Sequence, residues 1–362
     1  MVASLVSKFI NINSHKGEYT VSFISDNMDK LNSQFSHENF YIVDQNISKI
    51  YKHYLSNILN SNRVLIIEAS EKNKSLDKFP IYVDKLVEAR VRRGQNLIAI
   101  GGGIIQDITC FLATTMMRGL PWVFYPTTLL AQSDSCIGSK SSINSGEVKN
   151  ILGTFTPPNK VIIDINFLKS LEEKDILSGI GEMIKIHAIN SSESFDLLSE
   201  NYENIKTDPF LMEKFIYQSL LMKKKLIEID EFDLGPRNLM NYGHSFGHAI
   251  ETATNYEIPH GIAITIGMDI ANFFAASIGI SSHEHFERMH TMLGKNCSSY
   301  RHIKINPELI VSALNNDKKN SPTQLRLILP NKKGNIAIGL YNNDVLLMNA
   351  LIEYFNAYSK AA

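Results

Sequence analysis

The segment LIAIGGGIIQDITCFLATT, residues 97–115, joins an apolar run to a glycine cluster and then to a stretch that can be helical. Leu97–Ile100 has the length and composition of a buried strand, and Gly101-Gly102-Gly103 follows it directly. Glycines let a phosphate group approach the main chain, and the N-terminus of the next helix supplies N–H donors. The same cluster also occurs at ordinary tight turns. The segment therefore predicts a strand–turn–helix unit and is compatible with a nucleotide site.

Similar apolar runs recur through the first half of the chain. They cover Phe40–Val43, Val64–Ile67, Trp122–Tyr125 and Val161–Ile163. Between several of these runs the apolar residues recur at intervals of three and four, as in residues 82–91, and this spacing predicts helices. Strands that alternate with helices favour a parallel sheet covered by helices.

The second half has a different pattern. From about Leu168 onward the periodicity is helical, over Phe210–Glu228, Asn238–Thr254 and an almost wholly apolar Ile262–Ile278. QLRLILP at 324–330 stands alone as a strand pattern. We therefore expect an α/β domain over residues 1–167 and a mainly α-helical domain over residues 168–362, with ligands in the cleft between them.

Charge, cysteine content and apolar runs exclude several classes of binding partner and several cellular compartments. The chain has 36 Lys and Arg against 37 Asp and Glu, which is not the basic excess of a nucleic-acid-binding protein. Its 3 cysteines are too few for a disulfide framework. No apolar run reaches the length of about 18 residues that a membrane span needs, and the opening residues lack a secretory signal pattern. The sequence predicts a cytoplasmic protein without a nucleic-acid or membrane partner.

The run RNLMNYGHSFGHAIE, residues 237–251, carries the sharpest chemical signal. On one continuous helix, five polar side chains would share a face: Arg237, Asn241, His244, His248 and Glu251. His260 follows in a Pro-His-Gly turn that can aim it back at this stripe. Two neutral imidazoles plus one carboxylate from elsewhere form a catalytic zinc site with an open position, so the stripe predicts a metal site. The pattern leaves open whether His244 and His248 are both ligands.

Two other groups could serve chemistry or be ordinary surface. Glu182 lies among apolar and small residues, one turn from Lys185, and is either a metal ligand or half of a surface ion pair. Residues 132–153 are rich in Ser and Gly and predict an irregular loop. This stretch, with Arg118 nearby, would suit a phosphorylated substrate or form a solvated basic surface; its polar members are Asp134, Lys140, Lys149 and Asn150.

Two further sets imitate a site. His283, His285 and His290 lie among Glu and Arg residues, which is typical of a solvated helix face rather than of a metal site. Asp317-Lys318-Lys319 reads as a polar turn when it is taken alone.

Taken together, several segments resemble 3-dehydroquinate synthase and the related sugar phosphate cyclases. They are GGGIIQD, RGLPWVFYPTTLLAQSDSCIGSKSSIN, KNILGTF, SGIGEMIK, RNLMNYGHSFGHAIE, PHG and DKK, within about residues 44–330. Their order and spacing match the family as well as their letters. The resemblance implies a Rossmann-like NAD-binding domain with a parallel sheet, followed by a mainly helical metal-binding domain.

The resemblance also implies a role for each site residue. NAD would be bound by Asp44, Glu71, Lys74, Gly102, Gly103, Asp107, Thr127, Thr128, Phe167 and Ser170. The metal, Zn²⁺ or alternatively Co²⁺, would be held by Glu182, His244 and His260, with His248 as a hydrogen-bonding catalytic group. The substrate would be held by Asp134, Lys140, Lys149, Asn150, Lys185, Lys223, Arg237, Asn241 and Lys318, the last preferred over Lys319. Arg118 would reach the phosphate across a dimer interface, which implies a homodimer.

The implied reaction converts 3-deoxy-arabino-heptulosonate 7-phosphate to a carbocycle. NAD oxidises a substrate alcohol, phosphate leaves, the hydride returns, the ring opens, and an intramolecular aldol step closes the product. NAD is regenerated at each turnover. Zinc would polarise the oxygen that is oxidised.

Alternatives remain because the chain departs from the family at a few positions. Gln106, Ser139, Val148 and Ile262 replace residues that are more usual there. One alternative is a sister cyclase that acts on sedoheptulose 7-phosphate or another sugar phosphate. A second is an NAD- and metal-dependent dehydrogenase similar to glycerol-1-phosphate dehydrogenase, and a third is an inactive binding protein. The intact DKK segment, Asn241 and His248 favour the synthase by resemblance.

Overall fold

A computed structural model describes residues 8–24, 28–33, 35–146, 148–317, 320–321 and 323–358. Its strands are β1 Phe9–Ser14, β2 Gly17–Phe23, β3 Asn39–Asp44, β4 Val64–Ile67, β5 Asn96–Gly101, β6 Trp122–Pro126, β7 Lys140–Ser145, β8 Val148–Phe155, β9 Lys160–Ile163, β10 Gln324–Pro330 and β11 Ile336–Asn342.

The helices divide unevenly between the two halves of the chain. They are α1 Met28–Ser33, α2 Gln45–Ile50, α3 Ser56–Leu59, α4 Phe79–Glu88, α5 Gly103–Thr115, α6 Glu173–Asn190, α7 Ser192–Thr207, α8 Pro209–Ile229, α9 His244–Ala253, α10 His260–Ser277, α11 His283–Asn296, α12 Pro307–Asn316 and α13 Val345–Tyr358.

The chain forms two compact units. The first contains Met1–Leu171 and Lys223–Leu234, and the second contains Glu172–Met222 and Gly235–Ala362. The end of α8 and the segment after it therefore group with the first unit, although they follow it by some fifty residues. Hydrogen bonds connect this segment to the first unit, because Glu228 and Glu231 accept from the amides of Asn13 and His15 at the turn between β1 and β2.

The first unit is built on a sheet whose strands, within the described residues, run in the order β1-β2-β9-β6-β5-β3-β4. Only β1 pairs antiparallel with its neighbour, and the other pairs are parallel. The five strands predicted from apolar runs are all present. Their continuous apolar character matches a parallel sheet that is buried on both faces. The α/β fold class with a Rossmann-like first part is confirmed.

The strand order reverses beside β3. The chain passes from β3 to β4 on one side, and then to β5 and β6 on the other. Loops after neighbouring strands diverge at such a point and leave a crevice at the carboxyl ends of the strands. Asp44 at the end of β3 and Gly102 after β5 flank this crevice, so the topology directs a ligand to the turns that the glycine cluster singled out.

The prediction of an irregular loop over residues 132–153 is wrong. Ala131–Ser135 forms a π-helical turn, and β7 and β8 form an antiparallel hairpin. Ser and Gly obscured the strand pattern, because the outer face of this hairpin is exposed and needs no apolar residues. The β1–β2 hairpin and β11, the partner of β10, were likewise not anticipated.

The second unit is organised around α10. Every residue from Gly261 to Ala276 is buried, which confirms the predicted central helix. Helices α6, α9 and α11 pack around it. The mainly helical character of this part of the chain is confirmed. None of the helices in the described ranges is long and apolar enough to cross a membrane.

The prediction of one continuous helix over Asn238–Thr254 is wrong. A 3₁₀ turn covers Pro236–Asn241, and α9 begins only at His244, after Gly243 with φ +78°. Gly243 lies against α10, where a Cβ atom would come 2.8 Å from the carbonyl oxygen of Ile264. The left-handed backbone and the tight contact both require glycine, and together they break the helix. Arg237 and Asn241 therefore do not belong to the helix that carries the histidines.

The expectation of a solvated face for the three histidines of α11 fails at His290. Its Nδ1 lies 2.7 Å from Oδ2 of the buried Asp269 on α10. The side chain is half-buried beneath Tyr358 of α13. His290 is a packing residue that joins three helices.

Candidate functional site

Three histidines converge in the second unit. His244 and His248 lie on α9, and His260 is the first residue of α10. One nitrogen from each ring can be chosen so that all three lie within 4.8 Å of one another. Among the described residues this set can hold a metal ion, and imidazole nitrogens are ligands that zinc prefers. The predicted convergence of the Pro-His-Gly turn on the polar stripe is therefore present.

Glu182 reaches the same place from α6. It is 1% exposed, and its Oε1 lies 3.4 Å from Nε2 of His260. Its other oxygen forms an ion pair with Lys185, which is 2% exposed. This pair is therefore not on the surface. A buried carboxylate beside a histidine cluster is suited to bind a divalent cation, because the positive charge of the cation compensates the carboxylate for its lost hydration.

Close helix packing brings these candidate ligands together. A Cβ atom on Gly181 would lie 2.1 Å from the carbonyl oxygen of Gly261, so α6 and α10 touch backbone to backbone. Each of these glycines neighbours a candidate ligand, Glu182 or His260. The amide of Gly261 also donates to Ser178 Oγ at 2.9 Å. The position of the carboxylate relative to the imidazole follows from this contact.

Hydrogen bonds orient two of the imidazoles. His244 Nδ1 lies 3.3 Å from the carbonyl oxygen of Tyr242, which can only accept, so Nδ1 carries the proton and Nε2 is left for a metal. His260 Nδ1 lies 3.2 Å from Oε1 of Glu251. A carboxylate behind a metal-binding histidine fixes the ring in the same way. Glu251 lay on the predicted polar stripe, but sequence reasoning gave it no role.

The two imidazoles have opposite proton affinities. Burial lowers the pKa of His244 well below its usual value, and the neighbouring Lys185, His248 and His260 lower it further. Burial also opposes the charge on His260, but Glu182 and Glu251 outweigh it and raise its pKa to about 10. A neutral imidazole is a ready ligand, and a divalent cation would replace the proton held at His260.

The predicted NAD residues follow the carboxyl ends of neighbouring strands in the first unit. Asp44 caps α2, where its Oδ1 accepts from the amide of Asn46 at 2.7 Å, and burial raises its pKa. Gly102 precedes α5, and a Cβ atom there would lie 2.9 Å from Thr128 Cγ2. The amide of Thr127 donates to Gly101 O at 2.9 Å. The glycine turn and the two threonines are therefore adjacent.

Lys74 links several of the remaining NAD residues. Its Nζ lies 3.3 Å from Asp107 Oδ2 and 3.3 Å from Glu71 Oε1. Burial raises the pKa of Asp107 to about 6, although Lys74 acts against this shift. Phe167 differs from the others, because its side chain is buried in the core beside Tyr51. Ser170 Oγ donates to Phe167 O at 2.9 Å, so the main chain of Phe167 makes a polar contact.

The predicted substrate residues form two groups. In the first unit, Lys223 Nζ lies 2.5 Å from Asp134 Oδ1, and Lys140 forms an ion pair with Asp233. Sequence reasoning missed Asp233, because it lies 93 positions along the chain from Lys140 and has no local pattern. Lys149 is exposed on β8, and Asn150 accepts from Lys74 Nζ at 3.0 Å.

The other predicted substrate residues belong to the second unit, to a turn after α5, or to the part of the chain outside the described residues. Arg237 is buried, and Asn241 Nδ2 donates to Asn238 O at 3.2 Å, both in the second unit. Arg118 is exposed in a turn where Met117, Arg118 and Gly119 all have positive φ. Lys318 and Lys319 lie outside the described residues. The roles of all these residues stay predictions.

Family models and a curated relative that match this chain both point to one family. Residues 64–178 match the family model described as 3-dehydroquinate synthase N-terminal, and residues 179–320 match 3-dehydroquinate synthase C-terminal. The chain is 37% identical over 312 residues to a 3-dehydroquinate synthase of Dehalococcoides mccartyi, covering 84% of this chain and 87% of the relative.

Two solved structures share the fold. The first is 2-deoxy-scyllo-inosose synthase complexed with carbaglucose-6-phosphate, NAD⁺ and Co²⁺, with a TM-score of 0.83 and 22% identity over 96% of this chain and 100% of that one. The second is ValA, the 2-epi-5-epi-valiolone synthase of Streptomyces hygroscopicus, with NAD⁺ and Zn²⁺ bound. Its TM-score is 0.80, with 25% identity over 94% of this chain and 97% of that one.

Proposed function

We infer the activity from one premise, which is that this chain belongs to the 3-dehydroquinate synthase family. We propose that it is a carbon–oxygen lyase that converts 3-deoxy-arabino-heptulosonate 7-phosphate to a carbocycle with release of phosphate. This reaction would be a step of the shikimate pathway, in aromatic amino acid biosynthesis. NAD and a divalent metal are the proposed cofactors, as they are the ligands in the solved cyclases.

The observation that carries the proposal is the cluster of His244, His248 and His260 with Glu182 at its edge. We assign Glu182, His244 and His260 as the metal ligands, because this set matches a catalytic zinc site with one open position. His248 is exposed, unlike the other members, so a substrate that it could hydrogen-bond can reach it. Bound zinc would supply Lewis acidity, and bound NAD would accept and return a hydride.

The residues of the chain would bind and orient an anionic substrate. Lys140, Lys149 and Lys223 supply positive charge on the first unit, and Asp134 holds Lys223 in place. In the second unit Arg237 and Lys185 add two buried cations. Buried cations bind phosphate or carboxylate more strongly than exposed ones, because water screens them less. A simple alcohol would need fewer such charges in either unit.

We also propose that the protein is a cytoplasmic homodimer. All three cysteines are free and buried, which suits a reducing compartment. Arg118 and its neighbour Met117 both have positive φ, a strained conformation for non-glycine residues that is often retained for function. An arginine held outward in this way is suited to reach a phosphate bound by a second subunit. Sedimentation of the purified protein would test the dimer.

Stoichiometry tests the reaction. Purified protein with zinc, a trace of NAD and 3-deoxy-arabino-heptulosonate 7-phosphate should release many phosphates per NAD, with no net NADH. Steady accumulation of NADH would instead indicate a dehydrogenase. A parallel series with sedoheptulose 7-phosphate and other phosphorylated ketoses identifies the substrate, because a sister cyclase would release phosphate from one of those.

Two variants test the assignment of roles. His260→Ala should lose its metal and lower phosphate release by at least about a hundredfold, since removing a ligand should cost at least as much as removing a group behind it. Lys149→Ala should lower activity while zinc content, measured by atomic emission, stays at the wild-type level. Full activity of His260→Ala after thorough chelation would overturn the metal assignment.

A further inference from the structure

Asn144 stands between two sets of residues to which the proposed function gives different tasks. It lies in β7, is 5% exposed, and has no assigned role in binding cofactor or substrate. Its Nδ2 donates to the carbonyl oxygen of Glu71 at 3.1 Å and to Glu71 Oε2 at 2.8 Å. Its Oδ1 accepts from the amide of Asn150 at 2.9 Å. One buried side chain therefore joins the 71–75 loop to strand β8.

An irregularity in the hairpin makes this bridge available. The register between β7 and β8 shifts between Ile143 and Ser145, so Asn144 drops out of the ladder. A bulge of this kind frees a residue and redirects it. The amide of Asn144 donates to Lys74 O at 2.8 Å, and Ser75 and Asn144 form an isolated parallel bridge. The backbone thereby adds a second link to the one made by the side chain.

Lys74 closes the arrangement into a ring. Its Nζ donates to Asn150 Oδ1 at 3.0 Å and to Asp107 Oδ2 at 3.3 Å. Asp107 Oδ1 in turn accepts from the amide of Ser142 at 3.2 Å. The groups proposed to bind NAD and the hairpin proposed to bind substrate are thus connected by hydrogen bonds within one unit.

Asn150 needs this support because of its backbone. Its φ is +54°, a left-handed conformation that non-glycine residues adopt rarely, although Asn tolerates it better than most. The bond from its amide to Asn144 Oδ1 holds this conformation. The same conformation determines the directions in which the Asn150 side chain and its neighbour Lys149 leave β8.

We propose that Asn144 is a positioning residue that couples NAD binding to substrate binding by fixing Glu71 on one side and Asn150 on the other. The inference rests on the proposed function for the identity of the two ligands. Because coupling between two sites is reciprocal, NAD should tighten substrate binding by the same factor by which substrate tightens NAD binding.

Two substitutions separate the two sides of the bridge. Asn144→Asp keeps an oxygen that can accept from the Asn150 amide, but it replaces the Nδ2 donor with an oxygen that repels the Glu71 carboxylate. Asn144→Ala removes both links. Asn96→Ala is the matched control, since Asn96 Nδ2 bonds Asn39 Oδ1 at 3.1 Å at the opposite end of β5.

Initial rates of phosphate release over a grid of NAD and sugar phosphate concentrations give both KM values, kcat and the coupling factor. For Asn144→Asp we expect the KM for NAD to rise by about tenfold with little change in the KM for substrate. For Asn144→Ala we expect both to rise by about tenfold and the coupling factor to fall to about one. In both variants kcat should change by less than about threefold, because Asn144 touches no reacting group.

Three results would overturn the proposal. They are unchanged KM values in Asn144→Ala, equal losses in Asn144→Asp and Asn144→Ala on the substrate side, and losses of the same size in Asn96→Ala. Circular dichroism of each variant verifies folding, and Asn144→Asp carries the test if the alanine variant does not fold. Calorimetric titration with NAD alone tests the role of Asn144 separately from the proposed function. If wild-type protein releases no phosphate, the proposed function fails, whereas NAD binding still reports whether Asn144 supports Glu71.

Discussion

His187 on α6 illustrates how burial determines the chemistry of a single residue. It is fully buried, and its Nδ1 lies 2.8 Å from Ser194 Oγ and 3.2 Å from the carbonyl oxygen of Ser194. Burial lowers its pKa to about 4, and the carbonyl of Ser194 offsets this only in part. It therefore stays neutral in the folded protein at pH values where it would be protonated in the unfolded chain.

This difference predicts an acid-sensitive stability. Between about pH 6.5 and pH 4 the unfolded chain binds a proton at this position and the folded protein does not. The free energy of unfolding should fall as the pH drops through this window, by about 3 kcal/mol in all. His187→Gln should remove that part of the slope in urea titrations of the helical circular dichroism signal.

Measurement at pH 8 provides the control, because the wild-type imidazole is neutral there in both states. The variant should show only the constant cost of its altered packing at that pH. If the slope between pH 6.5 and pH 4 is the same in both proteins, His187 is not its origin.

Close approach between helices of the second unit positions the proposed metal ligands. Helix α6 carries Glu182 and helix α10 begins with His260, and the two helices touch where Gly181 meets Gly261. A backbone contact is more rigid than one made through side chains, because it has no rotamers to change. The distance between carboxylate and imidazole is therefore a property of this helix pair.

Gly181→Ala tests this. The added Cβ would lie 2.1 Å from Gly261 O, so the helices must move apart. We expect a loss of about 1–3 kcal/mol in the free energy of unfolding, as is usual for overpacking, and a weaker affinity for zinc in competition with a chelator. The zinc effect distinguishes this from a loss of stability alone.

Gly103→Ala is the matched control. It also adds one methyl group to a helix, but the nearest atom to its Cβ lies 3.9 Å away, in the first unit. It should leave zinc affinity unchanged and cost little stability. Equal zinc losses in the two variants would contradict the helix-contact argument.

At the scale of the whole molecule, the residues proposed to hold the two cofactors belong to different units. The proposed NAD residues lie in the first unit, and the proposed metal ligands lie in the second. The chain has 1 tryptophan, Trp122, which is buried in β6 of the first unit. Its fluorescence therefore reports unfolding of the first unit, which carries the proposed NAD residues.

NAD should raise the midpoint of the Trp122 transition in urea. At a free concentration of 100 times its Kd, it should add about 2.7 kcal/mol to the free energy of unfolding. The same shift should persist in His260→Ala, whose altered residue lies in the other unit. A Trp122 transition that ignores NAD would contradict the assignment of the cofactor to this unit.

The sequence by itself predicted five strands of the parallel sheet and the central helix of the second unit, but not the hairpins. The length of an apolar run indicates a buried strand or a buried helix without knowledge of the rest of the fold. This made it possible to predict Leu97–Ile100, Val64–Ile67 and Ile262–Ile278. The motif around His244 and His248 was readable for a related reason, since residues four positions apart share a helix face whatever surrounds them. These signals are local.

Tertiary structure alone decided which distant groups meet. No local pattern marks three of these contacts, because a hydrogen bond between distant segments requires no particular spacing in the sequence. They are Asp233 beside Lys140, Glu251 behind His260, and Asn144 between Glu71 and Asn150. The break at Gly243 is also tertiary. It exists because α10 leaves no room for a side chain there, and a contact between helices cannot be read from either helix alone.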